Sequence, residues 1–353
     1  MSDYVNTGVE AWKPNFYISA DNKNITDKIR KGLINITLTD YGGSSKQTDE
    51  LRVAIVSETL KIPARGVKIS IGLGFGNQII DKGIYIVDGA SSGGEPRVVD
   101  FTAKAAPMNA AKGSPTVQSK KTRSWSDVTV SDIVATIASD NGLKPRVSKR
   151  FADNIITQLD QVGESDMHLM SRLATRFDAV SKPAGGYWIF LPRGAGESVN
   201  GAPLLHYTLT RRDNSSWGYS RNGQNGDSGG GGENSEPTYL IKYHDTATGQ
   251  IKELRTGSGG DPVIEWPAVE PSLDAAKEAA PGLKGGAAKK EFSMTYTTPA
   301  TLDLVSLTAE CKVTTQGFGT DAKWHLNRSQ FGIRIDHDLA SISDHSLASQ
   351  SIT

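Results

Sequence analysis

A single cysteine, Cys311, stands in 353 residues. No internal disulfide can form, and zinc sites built on cysteine pairs are excluded. A lone thiol suits a reducing compartment. With no suitably placed histidine partner, Cys311 reads as a small buried apolar residue. Excess charge of either sign is also missing, since Lys+Arg and Asp+Glu both number 39. Nucleic-acid-binding surfaces normally leave a basic surplus. No sequence-specific nucleic-acid binding is therefore expected, and the short run Lys120-Lys121-Thr122-Arg123 reads as a solvated loop. No stretch reaches the roughly 18 consecutive apolar residues of a membrane helix. Met1–Glu10 is polar and acidic, without the basic and apolar regions of a signal peptide. The G-x-S-x-G elbow and the P-loop are both missing.

Alternation fills much of what is present. Leu33, Ile34, Ile36 and Leu38, then Leu51, Val53 and Ile55, then Val67, Ile69, Ile71 and Leu73 mark strands. Ile84–Val87 and Arg97–Ala103 complete a strand-rich region from Phe16 to Ala106. Period-2 patterning puts one face in a core and the other toward solvent or a partner. Gly72-Leu73-Gly74-Phe75-Gly76 departs from the G-x-G-x-x-G spacing of a dinucleotide loop and is followed by strand, so it reads as a hairpin turn.

The texture changes near Trp125. Ser131 is the expected N-cap of a helix with a stripe of Ile133, Val134, Ile137 and Ala138 that ends near Gly142. Ser165 is the expected cap of a second helix, with Asp166 in its first turn and Met167, Met170, Leu173, Ala174 and Phe177 at helical spacing. Gly185-Gly186 turns the chain into a strand at Tyr187–Leu191. Residues 223–232 are Gly-rich and polar, as in a mobile loop. Tyr239–His244 and Ile251–Leu254 then form a hairpin around Thr246–Gly249. An Ala-rich helix over Leu273–Ala280 is expected to end at Pro281-Gly282. Strands are expected at Leu302, Leu304 and Ser306, extending through Ala309, Cys311 and Val313, and finally around Trp324, Ile333 and Ile335.

Candidate chemistry is sparse. Glu164 and Asp166 are better explained by a helix start than by acid/base work, and Asp178 has no second acid paired with it in the sequence. None of His168, His206, His244, His325, His337 and His345 has metal-site spacing. Asp336-His337-Asp338 reads as a polar strand end. No catalytic residue, cofactor or metal is assigned.

The most specific signal lies in the middle. Gln158-Leu159-Asp160-Gln161, Glu164-Ser165-Asp166, Leu169–Leu173 with Arg172, and the strand Gly186–Pro192 together resemble the late control protein D family of contractile-tailed phages. Ser124–Val130, the segment Gly66–Asp88 and the hairpin around Tyr243 and Gly249 fit the same family. These are baseplate hub proteins, related to hubs of Mu-like phages and to the hub part of type VI secretion spike proteins. The resemblance implies an α+β, mostly β protein in which two tube-like β-barrel domains flank an α+β middle domain. Residues 1–110 would be the first tube-like domain, 111–222 the middle domain, 223–235 the Gly-rich loop and 236–353 the second tube-like domain with a polar tail. Ser341–Thr353 is polar and is not expected to form a good strand.

It further implies a non-enzymatic homotrimer in the virion tail baseplate, made in the host bacterial cytoplasm. Three chains would present a quasi-sixfold ring, matching a hexameric tail tube to a trimeric spike. The implied partners are the spike, tail tube and other baseplate proteins. The alternatives are a tail-tip cell-wall hydrolase, or a receptor- or carbohydrate-binding β module, for which the six tryptophans are scattered rather than clustered.

Overall fold

The structure is a computed structural model. It describes residues 13–42, 48–106, 117–194, 196, 202–213, 215–221, 237–257, 259–288, 292–318, 335–342 and 345–352. The Gly-rich segment 223–235, Trp12, Trp324 and Ile333 lie outside the described residues.

The first part of the chain carries β1 (Pro14–Ala20), β2 (Lys23–Asn24), α1 (Thr26–Arg30), β3 (Leu33–Asp40), β4 (Glu50–Val56), β5 (Lys68–Phe75), β6 (Gln78–Gly93) and β7 (Val98–Lys104). As the alternation demands, Ile36, Leu38, Leu51, Val53, Ile55, Ile69 and Ile71 are buried in one cluster, and Ile84 faces outward. Ile34 also faces outward, against the alternation, because the pairing of β3 with β4 shifts register between Leu33 and Asn35. The glycine run is a hairpin: Phe75 pairs with Gln78, and Gly76 takes a φ of +53° that favours glycine.

The middle part carries β8 (Lys120–Thr129), α2 (Val130–Asp140), β9 (Lys144–Val147), α3 (Lys149–Ala152), β10 (Ile155–Ser165), α4 (Asp166–Arg176), β11 (Ala179–Ala184) and β12 (Tyr187–Pro192). The expected stripes of α2 and α4 pack with Trp125, Trp188 and Phe190 into a second cluster. Inside it Phe151, Phe177 and Phe190 form a triangle with centroid separations of 5.7, 5.5 and 6.4 Å. Lys120–Arg123 is the start of β8 rather than a loop, because Lys121 and Arg123 have buried partners described below. The cap of α2 is Thr129, not Ser131. Thr129 Oγ1 accepts from Asp132 N–H, and the Asp132 carboxylate accepts from Thr129 N–H, a reciprocal box that Ser131 has no acid in position to make. Thr129→Ala is expected to destabilise the protein by about 1 kcal/mol in chemical denaturation.

The rest carries β13 (His206–Thr210), β14 (Ser216–Arg221), β15 (Pro237–Asp245), β16 (Gln250–Thr256), β17 (Gly260–Glu265), α5 (Leu273–Ala288), β18 (Phe292–Pro299), α6 (Leu302–Ser306), β19 (Lys312–Gln316), β20 (Ile335–Ile342) and β21 (His345–Ile352). The expected hairpin is β15–β16, with Asp245 opposite Gln250. Helix α5 runs past Pro281, which removes one main-chain donor and crowds the preceding turn without ending the helix. Gly282 lets α5 approach α4 closely: a Cβ there would lie 2.0 Å from the Thr175 carbonyl oxygen. Leu302–Ser306 is a helix rather than a strand. Thr301 caps it at Leu304 N–H, and its turn sends Leu304 and Val305 into two different clusters. Of the residues expected to extend that strand, only Val313 lies in one, while Cys311 is buried in the preceding turn. The Asp336–Asp338 segment lies within β20, and the polar tail forms β21. Regular backbone pairing with β18 and β20 compensates there for the weak side-chain pattern.

Among the described residues the largest sheet has eleven strands, in the order β14-β18-β21-β20-β3-β4-β7-β6-β5-β1-β2. It is open, and among the described residues no sheet closes into a barrel. β20 pairs antiparallel with β3, from Ile335 opposite Asp40 to Ala340 opposite Asn35. C-terminal strands therefore complete the N-terminal sheet, where the sequence suggested a separate barrel. Smaller sheets are β10-β8, β11-β12-β9, β13-β19 and β16-β15-β17.

Candidate functional site

The three acids singled out by sequence fall into three separate networks. Glu164, 12% exposed, contacts His168 Nδ1 and accepts from Arg172 at 3.0 Å. His168 itself is 62% exposed, on the solvent side of α4. Asp178 pairs with Arg193 at 3.3 Å. Asp166 has no exposed side-chain surface. One carboxylate oxygen accepts from Arg123 at 2.7 Å and Gln161 at 3.0 Å, the other from Lys121 at 2.7 Å and Asn141 at 2.8 Å.

The elements explain this geometry. Ser165 caps α4 through His168 N–H, as expected, and this turns Asp166 inward beneath the β8–β10 ribbon. Lys121 and Arg123, two apart on β8, share one face and reach it together. Asp140, at the end of α2, accepts from the same two cations at 3.0 and 2.6 Å. Arg123 also lies over the Trp125 ring, 4.7 Å from its centroid. The arrangement fastens two helices to a ribbon and occupies each carboxylate oxygen of Asp166 with two hydrogen bonds.

A second charged cluster joins three parts of the chain. Lys182 of β11 donates to Asp40 at 2.7 Å, to the Tyr41 carbonyl at 2.8 Å and to Asp49 at 3.0 Å. The other oxygen of Asp40 accepts from Ala309 N–H at 2.9 Å, and Asp49 accepts from Tyr41 N–H at 3.0 Å. Burial alone would raise the pKa of Asp40, but the charge and hydrogen bond of Lys182 and the Ala309 N–H outweigh it and hold it below the usual range. Asp49 is raised to about 7: burial and the neighbouring Asp40 charge exceed the pull of Lys182. Burial would lower Lys182, yet the charges of Asp40 and Asp49 hold it above its ordinary value. Sequence reasoning missed all three residues; the only signal was a lysine in the apolar surroundings of β11.

Among the described residues no group of three or more His, Cys, Asp or Glu side chains is placed to hold a metal. No helix among them is long and apolar enough to cross a membrane. Trp188 and Trp125 belong to the core, and Trp217 is partly exposed. Trp266 is partly buried and donates from its ring to Glu270 at 2.9 Å. What the surface offers is strand edge: the outer sides of β14, β8, β10 and β16 carry no neighbour among the described strands.

No family model matches the sequence. Over 201 residues the chain is 29% identical to a probable baseplate hub protein of Escherichia phage 186 and 30% identical to that of Escherichia phage P2. The chain is a relative of phage baseplate hub proteins. Each alignment covers 57% of this chain and 50% or 51% of the relative, so the chain spans about half the length of these curated relatives. The fold agrees over nearly the whole length with three solved tail proteins, two of them from prophages. A tail protein from Neisseria meningitidis MC58 superposes with a TM-score of 0.64 at 12% identity, covering 97% of this chain and 96% of that one. The 43 kDa tail protein of prophage MuSo2 from Shewanella oneidensis gives 0.59 at 12% identity, covering 97% and 98%. Prophage tail protein gp18 from Listeria monocytogenes gives 0.53 at 10% identity, covering 96% and 94%. At these identities the likeness concerns the fold alone. The resemblance to a phage baseplate hub is borne out by the two curated relatives.

Proposed function

We propose that this chain is a structural hub of a phage-type contractile-tail baseplate, of the late control protein D kind, and that it works as a homotrimer. The observation that carries the reading is the open eleven-stranded sheet in a relative of baseplate hubs. Its end strands leave main-chain donors and acceptors that an isolated chain would expose to indiscriminate pairing. A ring of identical copies covers such edges with contacts that return on themselves. In this reading residues 1–110 and 236–353 supply two tube-like segments per chain, and 111–222 sits outside them. Three chains give a quasi-sixfold ring between the hexameric tube and the trimeric spike. The action is geometric and makes or breaks no bond. The partners are other copies, the spike, the tube and neighbouring baseplate proteins, met in the virion tail after synthesis in the host cytoplasm.

Analytical ultracentrifugation is expected to show a species of three times 37.8 kDa, and negative-stain images a threefold ring with a central hole. A monomer at every micromolar concentration would overturn the trimer.

A further inference from the structure

Lys182 sits where three parts of the molecule meet. It belongs to β11, its carboxylate partners border β3 and β4, and Asp40 is tied in turn to Ala309 in the α6–β19 turn. Beside them is a cavity of about 330 Å³, lined by Asp40, Asp49, Lys82, Tyr85, Lys182 and Glu310 among others. We propose that Lys182, Asp40 and Asp49 form a pH-sensitive latch that holds β11 against the first sheet, tight in mild acid and looser above neutrality.

The charge count motivates it. One ammonium faces two carboxylates, and the three hydrogen bonds of Lys182 to Asp40, Tyr41 and Asp49 use all its donors. With both acids ionised, a buried site carries uncompensated negative charge, which is costly. Lys82 lends Asp40 a second positive charge, but the acid Glu310 borders the same cavity and offsets it, so Asp49 still shares Lys182 with Asp40. From the β5–β6 side, Lys82 donates to the Leu307 carbonyl at 3.1 Å, Tyr85 donates to the Lys82 carbonyl at 3.2 Å, and Asp81 accepts from Gly83 N–H at 2.9 Å. From the α6–β19 turn come another acid, Glu310, which borders the cavity, and the buried Cys311. A proton on one carboxyl restores a one-to-one pair. Asp40 keeps its charge through Lys182 and Ala309 N–H, so the proton goes to Asp49. The adjacent cavity gives water a place to enter when that proton leaves.

The direction follows from linkage. Asp49 is raised from 3.8 to about 7 when the latch is closed. The closed form therefore holds a proton that the open form gives up. Its advantage is full below the ordinary aspartate value and is lost as pH rises through about 7. Lys82, lowered by burial to about 8, acts in the opposite sense but only at higher pH.

Two amides report directly, Tyr41 N–H on Asp49 and Ala309 N–H on Asp40. Their hydrogen exchange, and that of β11, is measured in the full chain at about pH 5 and about pH 7.5 and divided by the intrinsic rate at each pH. Protection is expected to fall at least about tenfold toward the higher pH, since one proton gives a factor of ten per pH unit. Asp49→Asn is expected to abolish the dependence while keeping the amides protected. A flat wild-type profile, or an unchanged fall in Asp49→Asn, overturns the latch. Should that variant fail to fold, the carboxyl carbon of Asp49 is followed by NMR in the wild-type chain: a midpoint near 7 supports the latch, and one below about 5 sinks it.

Discussion

Asp166→Ala is expected to lower stability by about 3–5 kcal/mol, the usual loss when one partner of a buried ion pair is removed. The carboxylate is fully buried and takes four hydrogen bonds, two of them from the cations Lys121 and Arg123. Without it both cations keep Asp140, whose side chain is 36% exposed and so compensates them only weakly. Gln161 and Asn141 each lose an acceptor in a closed site. The damage should be local, loosening α4 from the β8–β10 ribbon while leaving the first sheet paired. Thermal unfolding should show a fall in Tm on the order of 10 °C. Asp166→Asn, which keeps an acceptor but loses the charge, should recover part of the loss. A variant within about 0.5 kcal/mol of wild type would show that Asp166 does not bear this role.

Lys182→Met is expected to cost a similar amount, about 3–5 kcal/mol, for the opposite reason: it leaves two buried carboxylates without the ammonium that bonds to both. Methionine roughly matches the stem of lysine, so little of the loss should come from a cavity. Unlike the loss at Asp166, this one should depend on pH. Protons can replace the missing charge at Asp40 and Asp49, so the deficit should shrink in mild acid and grow toward pH 8. Urea denaturation of both proteins at about pH 5.5 and about pH 8 checks this. An equal deficit at the two values would mean that packing, not charge, dominates at Lys182.

Much of the local structure was legible. The alternation between Leu33 and Ala103 marked β3 to β7, because a strand buried on one face must place an apolar residue at every second position. The stripes of α2 and α4 and the Ser165 cap were readable because helix period and capping act within a few residues. Leu302–Ser306 misled because Leu302, Leu304 and Ser306 satisfy a strand pattern over so short a span, and the Thr301 cap decided for helix. Polar β21 was missed because its place rests on backbone pairing, which the side-chain pattern does not report. The candidate site was the least legible part: Asp166 was placed correctly in the first turn of α4, but its burial and four partners were not foreseen, and Lys182 was not noticed at all.

Composition and spacing by themselves determined a mostly β chain with an α+β middle, no disulfide, no excess charge, and the residue pattern of a baseplate hub. Tertiary structure alone decided which strands are neighbours and which charges meet. Periodicity tells which face of an element is buried, but carries nothing about what lies across from it. β20 joins β3 across the whole chain, and Lys182 meets Asp40 and Asp49 across separations of 142 and 133 residues. Those contacts exist only once the chain has closed on itself and excluded water, and only there does one ammonium against two carboxylates matter.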